Sequence, residues 1–450
     1  MTKQRTYCCL SKMVYIISVF CITTAMASPA KTTFNTLVKF DGTDGAGPHA
    51  SPTQGTHGNF YGTTAGGGAN NYGTVFKMTS GGKLTTLYSF CSQTNCTDGA
   101  SPNAALVQAT DGNFYGTTAN GGANGIACLP IGACGTVFRI TPGGKLTTLY
   151  SFCAQENCAD GAVPGGLVHA TDGNFYGITA WGGTNSCLIA NQDWGCGTVF
   201  RITATGKLTT LYSFAGTDGE SPQGLVQATD GNFYGTTAGG GANSNSCPVS
   251  IYCGTVFQIT PTGKLTTLYN FCSRTDCADG ADPVAGLTQA PDKNLYGTTF
   301  RGGAYSSTCG GLGCGTVFKI TLAGKFTALY RFCSGKTSCP DGYWPAAELV
   351  NGTDGNFYGT AGAGGNNACP GGCGTVFKVT LAGALTTLHK FDLTDGYGPG
   401  GLLRAFNGPL YGTTSAGGDL SCGSGYGCGT VYRLSVGLGP FVETEPTSAR

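Results

Sequence analysis

Short apolar runs recur along the chain in a fixed order, separated by turn signals and glycine-rich segments. In one unit, four such runs predict strands A to D, at residues 105–109, 113–118, 135–141 and 145–152. Asp111-Gly112, between A and B, is typical of a tight turn. The adjacent Val137 and Phe138 make both faces of strand C apolar, which indicates a strand packed between neighbouring sheets.

The same unit occurs seven times at a spacing of about sixty residues, which is typical of a solenoid or propeller. A Tyr-Gly step in strand B marks each copy, at Tyr61, Tyr115, Tyr176, Tyr234, Tyr296, Tyr358 and Tyr411. A Gly-Thr-Val step opens each strand C, at Gly73, Gly135, Gly197, Gly254, Gly315, Gly374 and Gly429. Four antiparallel strands per unit with short A–B and C–D turns predict a propeller blade.

The count of strands predicts how the ring closes. Six units contain all four strands, whereas the seventh, from Gly400 to Leu434, has no strand D after it. The missing copy is the segment Thr32–Phe40, at the other end of the chain. We therefore expect an all-β fold, a seven-bladed β-propeller over residues 32–436, in which the N-terminal strand completes the last blade and removes exposed sheet edges.

Both chain ends differ from the repeats. Residues 1–27 combine a basic start, a short apolar run and the A-x-A site Ala25-Met26-Ala27, which predicts an export signal peptide. The run is too short for a confident membrane span. Residues 437–450 are expected to form a flexible tail. The mature chain is predicted to be secreted, extracellular, periplasmic or on the cell surface, with no membrane span.

The cysteines outside the signal fall into ten local pairs, and repeats that lack a pair lack both members. This pattern predicts disulfides; zinc is the alternative, but the spacings vary and no histidines accompany them. Four pairs follow strand D: Cys91 with Cys96, Cys153 with Cys158, Cys272 with Cys277, and Cys333 with Cys339. Six precede strand C: Cys128 with Cys134, Cys187 with Cys196, Cys247 with Cys253, Cys309 with Cys314, Cys369 with Cys373, and Cys422 with Cys428.

The topology places the B–C and D–A loops on one rim, which we call the long-loop face. All ten cysteine pairs and all three tryptophans belong to these loops. Exposed aromatic residues there could stack on sugar rings or anchor a protein. The candidate ligand-binding residues are Trp181, Trp194, Tyr343, Trp344 and Tyr397. The alternative for each is packing beneath its own loop.

An Asp-Gly step precedes every strand A, at Asp44, Asp98, Asp160, Asp218, Asp279, Asp341 and Asp395. Seven carboxylates near a central tunnel could bind cations. Repetition in every blade instead favours a turn role, since functional sites usually break symmetry.

Charge and motifs limit the function classes. The formal net charge is +1, which argues against nucleic acid as the main partner. The four histidines occupy unrelated repeat positions, and the sequence contains no nucleophile elbow, H-E-x-x-H or P-loop. We therefore predict no catalytic residues, cofactor or metal, and expect a monomer.

The phrases DGNFYGTT, GTVFKIT and GKLTTLYSF resemble the GloVer-type tandem repeat of secreted bacterial choice-of-anchor proteins. The resemblance covers about residues 32–436 and implies an exported repeat protein without a known activity. A weaker resemblance, to the blades of streptogramin lyase, implies a propeller lyase that uses histidine and a divalent metal. No histidine follows His389 in this chain.

Together these patterns predict a secreted, disulfide-stapled propeller that binds a carbohydrate or protein ligand through its long-loop face. The alternative is an extracellular polysaccharide-active or lyase-type enzyme, which requires an asymmetric cluster of carboxylates or histidines. A purely structural role in the envelope is a third possibility.

Overall fold

The computed structural model describes residues 32–124, 134–189, 192–244, 247, 252–304, 309–334 and 339–440. They form seven four-stranded antiparallel sheets and one two-stranded hairpin. The predicted seven-bladed β-propeller is confirmed. The predicted signal peptide, residues 1–27, and residues 441–450 of the predicted tail lie outside the described residues. No helix in the described ranges has the length and apolar character needed to cross a membrane.

Six blades are continuous in the chain, and each runs from an inner strand A to an outer strand D. Blade 1 contains β2 (Thr53–Gln54), β3 (Phe60–Thr64), β4 (Thr74–Met78) and β5 (Leu84–Ser89). Blade 2 contains β6 (Val107–Gln108), β7 (Phe114–Thr118), β8 (Thr136–Ile140) and β9 (Leu146–Ser151). Blade 3 contains β10 (Ala162–His169), β11 (Phe175–Trp181), β14 (Thr198–Ile202) and β15 (Leu208–Ser213), with a small hairpin, β12 (Leu188–Ile189) and β13 (Gln192–Asp193), between its middle strands.

Blades 4 to 6 repeat this order. Blade 4 contains β16 (Glu220–Gln227), β17 (Phe233–Gly239), β18 (Thr255–Ile259) and β19 (Leu265–Asn270). Blade 5 contains β20 (Thr288–Gln289), β21 (Leu295–Thr299), β22 (Thr316–Ile320) and β23 (Phe326–Arg331). Blade 6 contains β24 (Val350–Asn351), β25 (Phe357–Ala361), β26 (Thr375–Val379) and β27 (Leu385–Lys390). Short 3₁₀ turns occur at Thr94–Cys96, Glu156–Cys158, Thr275–Cys277 and Gly423–Gly425.

Blade 7 joins the two ends of the described chain. It contains β28 (Tyr397–Arg404), β29 (Leu410–Ala416) and β30 (Thr430–Ser435), and its outer strand is β1 (Thr33–Lys39). β1 pairs antiparallel with β30, and the backbone N–H of Phe40 extends the pairing by donating to Gly429 O at 3.0 Å. The predicted closure is therefore confirmed, because strands from both ends of the described chain share one sheet.

The repeated Phe-Tyr-Gly step of strand B holds neighbouring blades together. The tyrosine ring of one blade stacks on the phenylalanine ring of the next, with centroids 4.1 Å apart for Tyr61 and Phe114 and 4.1 Å apart for Tyr411 and Phe60 across the closure. Glycine follows because a Cβ at residue 62 would stand 2.5 Å from the Phe76 ring of the adjacent strand. The repeat phrase therefore encodes the contact between blades as well as the strand itself.

Candidate functional site

The two sets of cystine-bearing loops lie together on the long-loop face. In blade 5 the Sγ atoms of Cys309, Cys314, Cys333 and Cys339 all lie within 4.8 Å of one another. Nine predicted disulfides are formed with both partners in the described ranges, at 91–96, 153–158, 187–196, 247–253, 272–277, 309–314, 333–339, 369–373 and 422–428. Cys134 is also disulfide-bonded, and its predicted partner Cys128 lies outside the described residues.

In each blade the residue immediately before the repeat proline, ahead of or near the start of strand A, is in the left-handed conformation. Its φ lies between 51° and 64° in all seven blades, at Gly47, Ser101, Val163, Ser221, Asp282, Trp344 and Gly398. In every case its N–H donates to a carbonyl of the preceding blade's B–C loop, as Asp282 does to Cys253 O at 3.1 Å. The backbone here is fixed by a hydrogen bond between blades, so the side chains can differ from blade to blade.

Two carboxylates break the sevenfold symmetry at these junctions. Glu220 stands one position before the left-handed residue, where the other six blades carry alanine or tyrosine, and Asp282 is the left-handed residue of blade 5. Both line a cleft of about 230 Å³ on the long-loop face, which we call the blade 4 cleft. Its lining consists of Trp181, Cys187, Gly195, Glu220, Ser221, Ala238, Gly239, Tyr252 and Asp282.

Aromatic side chains form one side of the blade 4 cleft. Trp181 ends strand β11, and Trp194 packs against it with ring centroids 4.7 Å apart and planes inclined by 50°. Both backbone polar groups of Trp194 are hydrogen-bonded. Its N–H donates to Cys187 O at 3.1 Å, and its carbonyl accepts from Gly182 N at 2.7 Å. Tyr252 is 50% exposed at the cleft. The hairpin and its cystine thus fix the tryptophan pair before any ligand arrives.

The carboxylates of the cleft are held in surroundings that favour their neutral forms. Asp282 is only 7% exposed, and this burial raises its pKa to about 6 although Arg301 Nε lies 3.7 Å from Oδ2 and opposes the shift. Burial also raises the pKa of Glu220. A Cβ at residue 239 would stand 2.6 Å from Glu220 Oε1, so glycine at that position leaves room for the carboxylate. The cleft therefore offers both hydrogen-bond acceptors and weak acids.

The other predicted aromatic residues lie away from this cleft. Tyr343 is 3% exposed, and its hydroxyl donates to Gly371 O at 2.8 Å. Trp344 is half-buried and stacks on Phe300 with centroids 5.3 Å apart. Tyr397 is half-buried in β28. Of the five predicted ligand-binding residues, the structure brings together Trp181 and Trp194, and only Trp181 lines the cleft.

The Asp-Gly aspartates take part in local hydrogen bonds of the D–A loops. Asp98 is fully buried; its Oδ2 accepts from the Tyr88 hydroxyl at 2.8 Å and from Ser92 N at 2.9 Å, and its Oδ1 accepts from Gln93 N at 3.3 Å. Burial raises the pKa of Tyr88 to about 12. Asp279 has the equivalent partners at the end of blade 4 and in the loop between blades 4 and 5. These hydrogen bonds hold the turn of the D–A loop against strand D.

The repeat pattern matches a known family model. The model for the Gloeobacter/Verrucomicrobia repeat matches residues 19–246 and 188–426. The chain belongs to this family. No curated protein matches the chain by sequence.

Solved structures share the architecture of this Gloeobacter/Verrucomicrobia repeat protein at low identity. A catalytically inactive virginiamycin B lyase from Staphylococcus aureus, solved with quinupristin, is 16% identical with a TM-score of 0.55, covering 90% of this chain and 99% of the lyase. The extracellular domain of a putative hybrid two-component system from B. thetaiotaomicron is 10% identical with a TM-score of 0.52. That match covers 91% of this chain and 43% of the other. At these identities the likeness shows the fold alone.

Sequence reasoning missed Glu220, Asp282 and Tyr252. A signal was present in the repeats, because Glu220 and Asp282 occupy the two variable positions of an otherwise regular D-G-x-x-P segment. Tyr252 has an aromatic counterpart just before Gly-Thr-Val in blade 3, at Trp194. Comparison of repeats position by position finds these residues, whereas a search for catalytic motifs does not.

Proposed function

We propose that this protein is exported and binds a saccharide in the blade 4 cleft. The observation that carries the proposal is the convergence of the Trp181–Trp194 pair, Glu220 and Asp282 at one junction of an otherwise repetitive ring. Sugar rings have apolar faces that stack on aromatic side chains, and hydroxyl groups that donate to carboxylates. The cleft supplies both kinds of partner.

The size and setting of the cleft support a small polar ring as the group it holds. Its volume of about 230 Å³ lies below the roughly 300–1,000 Å³ of pockets for drug-sized ligands, so we expect one sugar unit of a longer chain to enter. The cystines support export, because disulfides persist in oxidising compartments. The predicted signal peptide supports the same location.

Glycan-array screening followed by calorimetric titration of the best ligand tests this proposal. Trp181→Ala is expected to weaken binding at least about tenfold, which corresponds to about 1.4 kcal/mol. Trp344→Ala is the matched control, since it removes the same side chain from the same face but from outside the cleft. Absence of any saccharide ligand, or equal losses in the two variants, would overturn the proposal.

A hydrolase acting on the same saccharide is the second candidate function. It is favoured by the presence of two carboxyl groups in one cleft, because glycoside hydrolysis uses one as general acid and the other, ionised, as base or nucleophile; the raised pKa of Asp282 suits the general acid. The test is release of reducing ends from the array ligand. A hydrolase would lose turnover in Glu220→Gln while keeping ligand affinity, whereas a binding protein releases no reducing ends in either form.

A further inference from the structure

Among the described residues, one acidic side chain lines the central tunnel. The tunnel lies apart from the blade 4 cleft. The tunnel is a space of about 430 Å³ lined by the inner segments of all seven blades. Each inner segment has an apolar residue near its end, such as Leu106 in blade 2. Immediately before this residue, six blades carry a small residue, at Ser51, Ala105, Gly166, Gly224, Gly286 and Gly401. Blade 6 places Glu348 there. The tunnel is therefore asymmetric at one point.

The Glu348 side chain, from blade 6, lies along the inner walls of blades 5 and 4. A Cβ at residue 286 would stand 2.0 Å from Glu348 Oε1, and a Cβ at residue 224 would stand 2.7 Å from the same atom. Two glycines thus make room for the carboxylate. The side chain is exposed to the interior of the tunnel, and the protein packed around the tunnel raises the pKa of Glu348 to about 7 by desolvation.

Few groups near Glu348 could offset the negative charge of its carboxylate. Among the described residues that line the tunnel and its mouth beside blades 3 to 5, none is lysine or arginine, and the titratable groups besides Glu348 are His49 and His169. Burial lowers the pKa of His49, so it is neutral at pH 7. In blade 7, Arg404 occupies the strand position that His169 occupies in blade 3, but Arg404 is not one of these lining residues.

The remaining lining is mostly alanine, valine, leucine and glycine, as at Ala104, Val284 and Leu402. A calcium ion takes six to eight oxygen ligands and a magnesium ion takes six, whereas Glu348 is the one carboxylate among the described lining residues. An alkylammonium group matches better, because its N–H donors pair with the carboxylate while its methylene chain packs on the aliphatic side chains of the lining. We propose that the tunnel binds a primary alkylammonium group at Glu348, carried by a free amine or by a lysine side chain of a peptide.

Proton linkage gives this site a signature of its own. The ammonium pairs with the ionised carboxylate, so at pH 6 binding displaces a proton from Glu348. Affinity should therefore be nearly constant between about pH 8 and pH 9, fall by up to about tenfold per pH unit below pH 6, and fall again above about pH 10, where the amine loses its own proton. Comparison of wild type with Glu348→Gln isolates the part of this profile that belongs to the Glu348 carboxyl group.

The test is calorimetric titration of the whole protein with 1,6-diaminohexane, in two buffers of different ionisation enthalpy at pH 6, and with an acetylated, amidated Gly-Lys-Gly peptide. We expect at least one of these probes to bind with proton release, and binding to fall at least tenfold in Glu348→Gln. Glu220→Gln is the control, because it removes a carboxylate from the blade 4 cleft and leaves the tunnel unchanged. Binding of the diamine alone identifies a free amine, and binding of the peptide alone a lysine side chain.

Three results would overturn the proposal: no binding of either probe, equal binding by wild type and Glu348→Gln, or equal binding of the neutral 1-hexanol. Calcium binding that depends on Glu348 without amine binding would also overturn it. Circular dichroism of Glu348→Gln confirms that the variant is folded, and Glu348→Ala provides a second, non-isosteric variant. Because the saccharide test uses other residues, either proposal can fail alone.

Discussion

Phe34 and Leu434 are paired partners on adjacent antiparallel strands, although they lie near opposite ends of the described chain. The same strand carries Val38, which is buried and pairs with Val431. The ring is therefore closed by a contact between the first and last strands of the described chain.

Disruption of this closure should destabilise the whole ring. Val38→Asp places a charge in the core of blade 7, and we expect the free energy of unfolding to fall by roughly 3 kcal/mol or more. Asn35→Asp introduces the same charge at an exposed position of the same strand, and should change it by less than about 0.5 kcal/mol. Chemical denaturation measures both, and equal effects would contradict the role assigned to β1.

The buried aspartates of the D–A loops should contribute to stability. Asp98→Ala leaves the Tyr88 hydroxyl and two backbone N–H groups without their acceptor, and we expect a loss of about 2–3 kcal/mol. Asp111→Ala, in an exposed hairpin turn, should cost no more than about 1 kcal/mol. The comparison is made by urea unfolding. A similar loss in both variants would show that burial of Asp98 does not matter.

The raised pKa of Asp282 predicts how stability depends on pH. Because the folded state holds this proton up to about pH 6 while the unfolded chain releases it near pH 4, the contribution to stability is present below about pH 4 and is lost as pH rises towards 6. Asp282→Asn keeps a residue that tolerates positive φ. We expect it to flatten this decline and to raise the free energy of unfolding at pH 7 by on the order of 2 kcal/mol.

Unfolding curves of wild type and Asp282→Asn at pH 4, 5, 6 and 7 test this prediction. The two proteins should be most alike at pH 4 and differ most at pH 7. A difference that is independent of pH would assign the effect to lost contacts with Arg301 instead of to the buried charge.

Each disulfide should stabilise its own loop without contributing to closure of the ring. Removal of the Cys91–Cys96 bridge by a double serine substitution should cost about 2 kcal/mol, the chain-entropy value for so short a loop. Peptide mapping of the unreduced protein should recover the nine described pairs as links within single loops. Links between neighbouring loops, such as Cys309 to Cys333, would contradict the pairing.

The sequence predicted the blades well because each strand carries its own pattern. The predicted strands at 113–118, 135–141 and 145–152 contain the observed β7, β8 and β9 with one or two residues to spare. Strand A was predicted at 105–109 in blade 2, whereas the paired strand there is only Val107–Gln108. The equivalent strands of blades 3, 4 and 7 are eight residues long, so the extent of this strand differs between repeats. The irregular D–A and B–C loops follow no period, so their shapes could not be predicted.

By itself the sequence determined the number of blades, the pairing of cysteines within loops and the strand that closes the ring, because repeats and paired losses are properties of chain order. Only the tertiary structure decided which side chains meet between blades. Trp181, Glu220 and Asp282 belong to three successive blades, and Glu348 reaches Gly286 and Gly224 across two others. Contacts of this kind depend on the rotation of each blade around the ring axis, and no local pattern of residues determines that angle.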